Sequence, residues 1–145
     1  MNWKQEAVEK LKRLPHMDTA CQTIPMELQR LRAERFRLRS SSAGVATSSS
    51  RREDHLLNNL VLRQELQTTL TRSRQWLEVV NLALSRLSRQ DRQLLDRLYI
   101  SPEYGGVEQL CRELEIERST LYRRRDQALL NFTRLLYGSG ADEEV

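Results

Sequence analysis

Apolar residues recur at helical intervals along most of the chain, most regularly in its middle. Residues 53–87 contain neither proline nor glycine, and their apolar positions follow at intervals of three, four, seven or ten residues: Leu56, Leu60, Leu70, Leu77, Val80, Leu84 and Leu87. This spacing places them along one side of an α-helix. The pattern therefore predicts one long helix, about 50 Å in length at 1.5 Å per residue.

Two shorter helices are expected before this long one. In residues 2–14 the apolar positions again have helical spacing: Trp3, Ala7, Val8, Leu11 and Leu14. Pro15 is expected to end that helix, because proline has no N–H to donate and its ring obstructs the preceding turn. Proline suits the first turn of a helix, so a second helix is expected to begin near Pro25. Its apolar side carries Ile24, Leu28, Leu31 and Leu38.

Neither the helix over 25–39 nor the helix over 53–87 buries its apolar stripe alone. The simplest arrangement folds residues 25–39 back against the start of the long helix as an antiparallel hairpin, with the serine-rich segment 40–52 as a flexible loop at its tip. Self-association through the same stripe is the alternative. A homodimer through the long helices is compatible with either arrangement.

The last third of the chain predicts three further helices. Ser88 and Asp91 resemble a capping box, and the helix that follows ends near Ser101. Residues 107–114 form a short helix, 115–117 a tight connection and 118 to about 137 a final helix ended by Gly138. The core stripe of that final helix is Leu121, Ala128, Leu129, Phe132 and Leu136.

A short helix, a tight connection and a longer helix are the plan of a helix-turn-helix DNA-binding motif. The alternative is a helical bundle with a similar crossing. The predicted fold class is therefore all-α, a C-terminal helix-turn-helix preceded by the long-helix hairpin. The predicted domains are 1–87, 88–138 and a disordered acidic tail over 139–145.

The final helix has an N-terminal half rich in hydrogen-bond donors. With Leu121 at the centre of the buried side, the 100° step of a helix turns Ser119 and Arg123 outward. Free N–H groups at the helix start favour a phosphate. The residues expected to contact DNA are Arg118, Ser119, Thr120, Tyr122, Arg123, Arg124 and Arg125. The alternative is a purely structural ion-pair cluster of the three adjacent arginines with Asp126.

These motifs resemble a known group of proteins. The residues from Leu87-Ser88 through Leu98, then Leu110-Cys111, Leu114, Ile116 and Ser119 through Arg123, are similar to region four of bacterial sigma factors. Further motifs resemble small phage and prophage transcription regulators of Gram-positive bacteria, of the ArpU and RinA type. They are Asn2-Trp3-Lys4, 50–54 followed by Leu57-Asn58-Asn59, 107–111 and 121–126.

The resemblance implies that residues 88–137 bind double-stranded DNA near promoters, with contact to host RNA polymerase and control of late or lysis genes. Two residues depart from the sigma pattern. Glu115 stands where a small residue is common, and Glu117 where a capping serine is usual. A DNA-packaging protein of the small-terminase kind, or an adaptor whose helix-turn-helix binds protein, are the alternative functions.

Arginine dominates the basic residues, and the formal net charge is +4. Arginine presents a planar donor fork that suits phosphate and guanine edges. Seven arginines lie just before the serines of 40–50 or just after them: Arg30, Arg32, Arg35, Arg37, Arg39, Arg51 and Arg52. They predict either a second surface that contacts phosphate or a partner, or a solvated face balanced by Glu27 and Glu34.

The sequence offers no pattern of catalytic chemistry. His16 and His55 lack partners at metal or triad spacing, and no glycine-rich phosphate loop or nucleophile elbow is present. Cys21 and Cys111 match no metal-ligand spacing. We therefore expect no enzyme activity, no cofactor and no bound metal, and a cytoplasmic protein without a membrane span.

Overall fold

The structure, a computed structural model, describes residues 2–40 and 49–139. Within these ranges all regular structure is helical, which confirms the all-α prediction. The helices are α1 (Trp3–Ser40), α2 (Ser49–Arg86), α3 (Arg89–Leu95) with a π-helical turn (Asp96–Ile100), α4 (Gly106–Leu114) and α5 (Arg118–Tyr137). None of the described helices is long and apolar enough to cross a membrane.

The prediction that Pro15 ends the first helix is wrong, as is the prediction that a second helix begins near Pro25. Helix α1 continues through both prolines to Ser40. An internal proline removes one helical hydrogen bond and costs about 3 kcal/mol. The apolar residues on either side of Pro15, such as Leu11 and Ile24, are buried. Their packing offsets the cost, because an end at Pro15 would expose that surface.

Both long helices extend into the segment 40–52 that the sequence predicts to be a loop. Helix α1 includes Ser40, and α2 already begins at Ser49, so 49–52 are helical rather than part of the predicted loop 40–52. Arginine and glutamate, which follow at once in α2, favour helix. The rest of the predicted loop, 41–48, lies outside the described residues, as do 140–145 of the predicted acidic tail over 139–145.

The chain divides into two compact units. One, which we call the terminal unit, comprises Met1–Met17 and Trp76–Val145; the other, the central unit, comprises Asp18–Gln75. This division differs from the boundary expected between residues 87 and 88. The first turns of α1 belong with 76–145 rather than with the rest of α1.

In the central unit, α1 and α2 meet along an apolar stripe. Its buried members are Ile24, Leu28 and Leu70, packed against Ala20, Cys21 and Leu66. Further along, the Asn59 Nδ2 donates to the Leu31 carbonyl oxygen at 2.9 Å. Rising numbers on α1 therefore meet falling numbers on α2, so the two segments run in opposite directions.

The core of the terminal unit joins all five helices. Its fully buried members include Ala7, Leu11, Val80, Leu95, Leu121, Ala128 and Phe132. The ring of Trp3 lies 4.6 Å from the ring of Tyr137, centroid to centroid. The ammonium group of Lys10 lies 5.6 Å from the centre of the same tyrosine ring. The start of α1 thus packs against the end of α5.

Candidate nucleic-acid interface

The N-cap of α3 differs from the usual capping box in one interaction. The carboxylate of Asp91 binds a residue of α5 instead of the N-cap amide. Ser88 is the N-cap of α3, and its Oγ accepts a hydrogen bond from the Asp91 amide at 3.2 Å. The Asp91 carboxylate accepts from the Asn131 Nδ2 at 2.9 Å, on α5. The predicted cap is therefore present. Its carboxylate fixes the C-terminal half of α5 to α3.

The connection between α4 and α5 is tight because one residue adopts a left-handed conformation. Glu115, the C-cap of α4, has φ 54° and ψ 46°. This turn lets the Ile116 amide donate to the Cys111 carbonyl oxygen at 3.1 Å. Ile116 then packs against the core. Glu117 is the N-cap of α5, and its side chain makes no capping hydrogen bond.

Two ion pairs brace α4 on either side. Arg97, in the π-helical turn, forms a two-pronged pair with Glu113, whose second contact is 3.3 Å. The hydrogen bond from Arg97 holds the pKa of the Glu113 carboxyl below its ordinary value of 4.5. Across the connection, the Arg118 Nη2 lies 2.6 Å from the Glu108 Oε1. Arg118, predicted to contact DNA, therefore already holds a carboxylate.

Helix α5 separates a buried side from an exposed one. Leu121 is completely buried, as are Ala128 and Phe132 further along the helix. Of the seven predicted contact residues, Thr120 and Arg125 are half-buried. The other five are exposed: Arg118, Ser119, Tyr122, Arg123 and Arg124. Leu130, later on the same helix, is half-buried.

The three adjacent arginines of α5 differ in their surroundings. The Arg125 guanidinium lies 4.8 Å from the centre of the Tyr122 ring and 3.0 Å from an Asp126 carboxylate oxygen. Arg123 and Arg124 make no ion pair with any residue of 2–40 or 49–139. The ion-pair cluster considered from the sequence is thus limited to Arg125 and Asp126. Two exposed guanidinium groups remain for an anionic ligand.

Two features of this region escaped the sequence analysis. One is Glu108 as the partner of Arg118, ten residues away; the opposite charges on either side of a short connection were the available signal. The other is the contact of Trp3 and Lys10 with Tyr137. No local sequence pattern predicts that contact, because Trp3 and Lys10 are more than 120 residues away from Tyr137.

Comparisons with known proteins leave the argument to the residues themselves. No protein-family model matches the chain, and searches of curated proteins and of solved structures returned no match to it. Within 2–40 and 49–139, no three histidine, cysteine, aspartate or glutamate side chains gather where a metal ion could be held. The exposed side of α5 carries Arg123 and Arg124, which make no ion pair with the described residues, and it is the candidate site.

Proposed function

We propose that this protein is a sequence-specific DNA-binding regulator of transcription. In this proposal α4, the connection 115–117 and α5 act as a helix-turn-helix, with α5 in the major groove. The observation that carries it is the pair Arg123 and Arg124, exposed and without an ion pair among the described residues, on a helix whose opposite side is buried. A wholly structural cluster would be expected to satisfy these charges internally.

The contact residues have different roles in the proposal. Arg123, turned away from Leu121, reads base edges, since arginine pairs with guanine through two hydrogen bonds. Arg124 and the exposed Ser119 contact phosphates, which set the position of the helix. Arg125, held against Tyr122 and Asp126, supports that surface and supplies positive charge beside it. Glu108 neutralises part of the charge of Arg118 and fixes the start of α5.

The broader biological setting comes from the resemblance to phage and prophage regulators of the ArpU and RinA type. We propose control of late or lysis genes, with contact to host RNA polymerase. The antiparallel contact of α1 with α2 in the central unit supports the proposed helical hairpin. Pairing of two copies through the long helices stays a prediction of the sequence.

The experiment is selection of duplexes from fragmented host and prophage DNA, with the wild-type protein and an Arg123→Ala, Arg124→Ala double variant. The matched control is Lys12→Ala, Arg13→Ala, which removes two adjacent exposed basic residues from α1 in the same unit. We expect wild type and control to enrich one sequence. The double variant is expected to lose it.

Enrichment of no sequence would contradict the proposal, as would a double variant that selects like wild type. Tight capture of RNA polymerase without any duplex binding at low salt would favour the protein-binding adaptor instead. Circular dichroism of each variant ensures that a lost preference reflects the surface of α5 rather than unfolding.

A further inference from the structure

The arginines of 30–39 in the central unit are not paired with the nearby glutamates in the way that the composition suggests. Glu27 and Glu34 are the two acidic residues within 27–39. Both engage the same arginine: Arg30 lies 2.6 Å from Glu27 and 3.3 Å from Glu34. The hydrogen bond from Arg30 also holds the pKa of Glu27 below its ordinary value. One arginine thus uses both carboxylates.

Six further arginines within 32–52 have no carboxylate partner among the described residues. Within the described residues none of them makes an ion pair: Arg32, Arg35, Arg37, Arg39, Arg51 and Arg52. Four of the six are exposed, and two are half-buried. Like charges held close together repel in the free protein. An anionic partner would relieve that repulsion.

Helical geometry gathers several of these arginines on one side of α1. Arg32, Arg35 and Arg39 stand at positions i, i+3 and i+7, so they lie within about 60° of one another around the helix axis. Phe36 adjoins them, about 40° from Arg32 around the helix axis, and is 72% exposed. Glu34 lies more than about 90° away from all three. We call the residues Arg32, Arg35, Phe36 and Arg39 the arginine stripe.

Helix α2 adds positive charge at the same level. Leu31 and Asn59 lie opposite each other. Both helices rise 1.5 Å per residue, so eight residues onward Arg39 lies level with Arg51. Arg52 is about 20° from Asn59 around α2 and so faces α1, whereas Glu53 and Asp54 turn more than about 90° away from Asn59. Glu53 and Asp54, the carboxylates nearest in sequence to Arg51 and Arg52, therefore lie away from the side of α2 that faces α1.

We propose that the arginine stripe, with Arg51 and Arg52, binds the phosphate backbone of duplex DNA independently of sequence, as a second contact besides α5. The proposal rests on the proposed function for its choice of duplex DNA. Arginine matches phosphate with two parallel hydrogen bonds. Sequence-independent contacts of this kind supply affinity and position a protein on its site.

The composition of the stripe favours a phosphate backbone over an acidic protein. The central part of a protein interface is depleted of charge and built from several apolar residues. Among the described residues 30–39, Phe36 is the only large apolar side chain that is exposed. The rest of the exposed surface there is mostly arginine. That ratio suits a polyanion, whose phosphates each accept a charged hydrogen bond.

The test is the salt dependence of binding to two duplexes of equal length, one carrying the selected sequence and one unrelated. The variant is Arg32→Ala, Arg39→Ala, since both residues are exposed and their loss leaves the contact of α1 with α2 intact. The matched control is Arg72→Ala, Arg74→Ala, which removes two exposed arginines of α2 in the same unit. Fluorescence anisotropy gives the affinity from 50 to 200 mM salt.

Each phosphate contact contributes about 0.9 to the slope of log affinity against log salt concentration on duplex DNA. We expect the stripe variant to lose about 2 from that slope on both duplexes, and to bind both roughly tenfold more weakly at low salt. The control is expected to keep the wild-type slope. Arg32→Lys, Arg39→Lys should keep most of it, because the charge remains.

Equal slopes for the stripe variant and the control would overturn the inference, as would a loss confined to the selected duplex. Absence of any duplex binding by wild type would overturn both this inference and the proposed function. The Arg123→Ala, Arg124→Ala variant separates the inference from the proposed function, because it removes the two α5 contacts and keeps the arginine stripe. If the wild-type protein shows no preference between the duplexes but the stripe still sets the slope, the proposed function fails and the phosphate contact stands.

Discussion

Asn59 donates a hydrogen bond from its side-chain amide to the main-chain carbonyl of Leu31, across the contact between α2 and α1. Asn59 is 4% exposed, and its Oδ1 accepts from the Arg63 Nε at 2.8 Å. Both functional atoms of the amide are thus satisfied. The bond joins the two helices at this level, and loss of either partner would leave a buried polar group unsatisfied.

Replacing Asn59 with alanine should destabilise the central unit. We expect the free energy of unfolding to fall by about 1–3 kcal/mol, because the variant loses a buried hydrogen bond and leaves a gap. Urea denaturation followed by circular dichroism measures the change. Asn58→Ala is the control, since Asn58 is the adjacent residue and is exposed. Similar losses in the two variants would show that the amide contributes nothing specific.

Leu11→Ala should destabilise the unit that carries α5, although Leu11 lies far from α5 in sequence. Leu11 is completely buried in the terminal core, so its truncation should cost about 2–5 kcal/mol. Both tryptophans, Trp3 and Trp76, belong to this unit. Urea denaturation followed by tryptophan fluorescence therefore reports its unfolding. Lys12→Ala, an exposed neighbour, should change little; an unaltered midpoint for Leu11→Ala would contradict the assigned packing.

The Arg97–Glu113 pair should make stability depend on pH. The pKa of Glu113 is lowered in the folded protein by the hydrogen bond from Arg97. Its contribution is therefore present above the ordinary pKa of 4.5 and lost as pH falls through the lowered value. We expect Glu113→Gln to lower the melting temperature at neutral pH, and the difference from wild type to vanish in strong acid. A constant difference across pH would argue against the pair.

The matched control for this measurement is Glu78→Gln. Glu78 is exposed on α2 and makes no ion pair with the described residues. Its melting curves should follow those of wild type at each pH.

Glu115→Gly should stabilise the connection between α4 and α5. Glu115 has φ 54°, a conformation that costs an ordinary residue about 1 kcal/mol and glycine almost nothing. We expect a net gain of about 0.5–1 kcal/mol, since the greater freedom of glycine in the unfolded chain offsets part of the benefit. Glu117→Gly is the control, because Glu117 has φ −76°. The melting temperature should rise for Glu115→Gly and not for Glu117→Gly.

Local patterns were sufficient to predict α4 and α5, but not α1. The end of α5 follows from a local signal, since Gly138 comes directly after its last residue, Tyr137. The course of α1 through Pro15 and Pro25 depends instead on tertiary packing, which outweighs the local preference of proline. Local rules fail where buried partners come from distant segments.

The candidate interface shows the same limit at the level of side chains. The outward direction of Arg123 follows from the position of Leu121 and the helical repeat, so the sequence predicts it. The pairing of Arg118 with Glu108 does not follow from any repeat. Nor does the use of both Glu27 and Glu34 by Arg30, which leaves Arg32, Arg35, Arg37 and Arg39 without an ion pair among the described residues. Composition counts charges but does not assign them to partners.

The split makeup of the terminal unit has a consequence for how the chain folds during synthesis. The central unit is one continuous stretch, 18–75, so its two helical segments can pair without the residues that follow them. Residues 3–17 are synthesised before 76–139, with which they share a core. Contacts between such distant segments form slowly because a long loop must close. Ala7 and Leu11 therefore reach their buried surroundings only after the later residues of the terminal unit have been made.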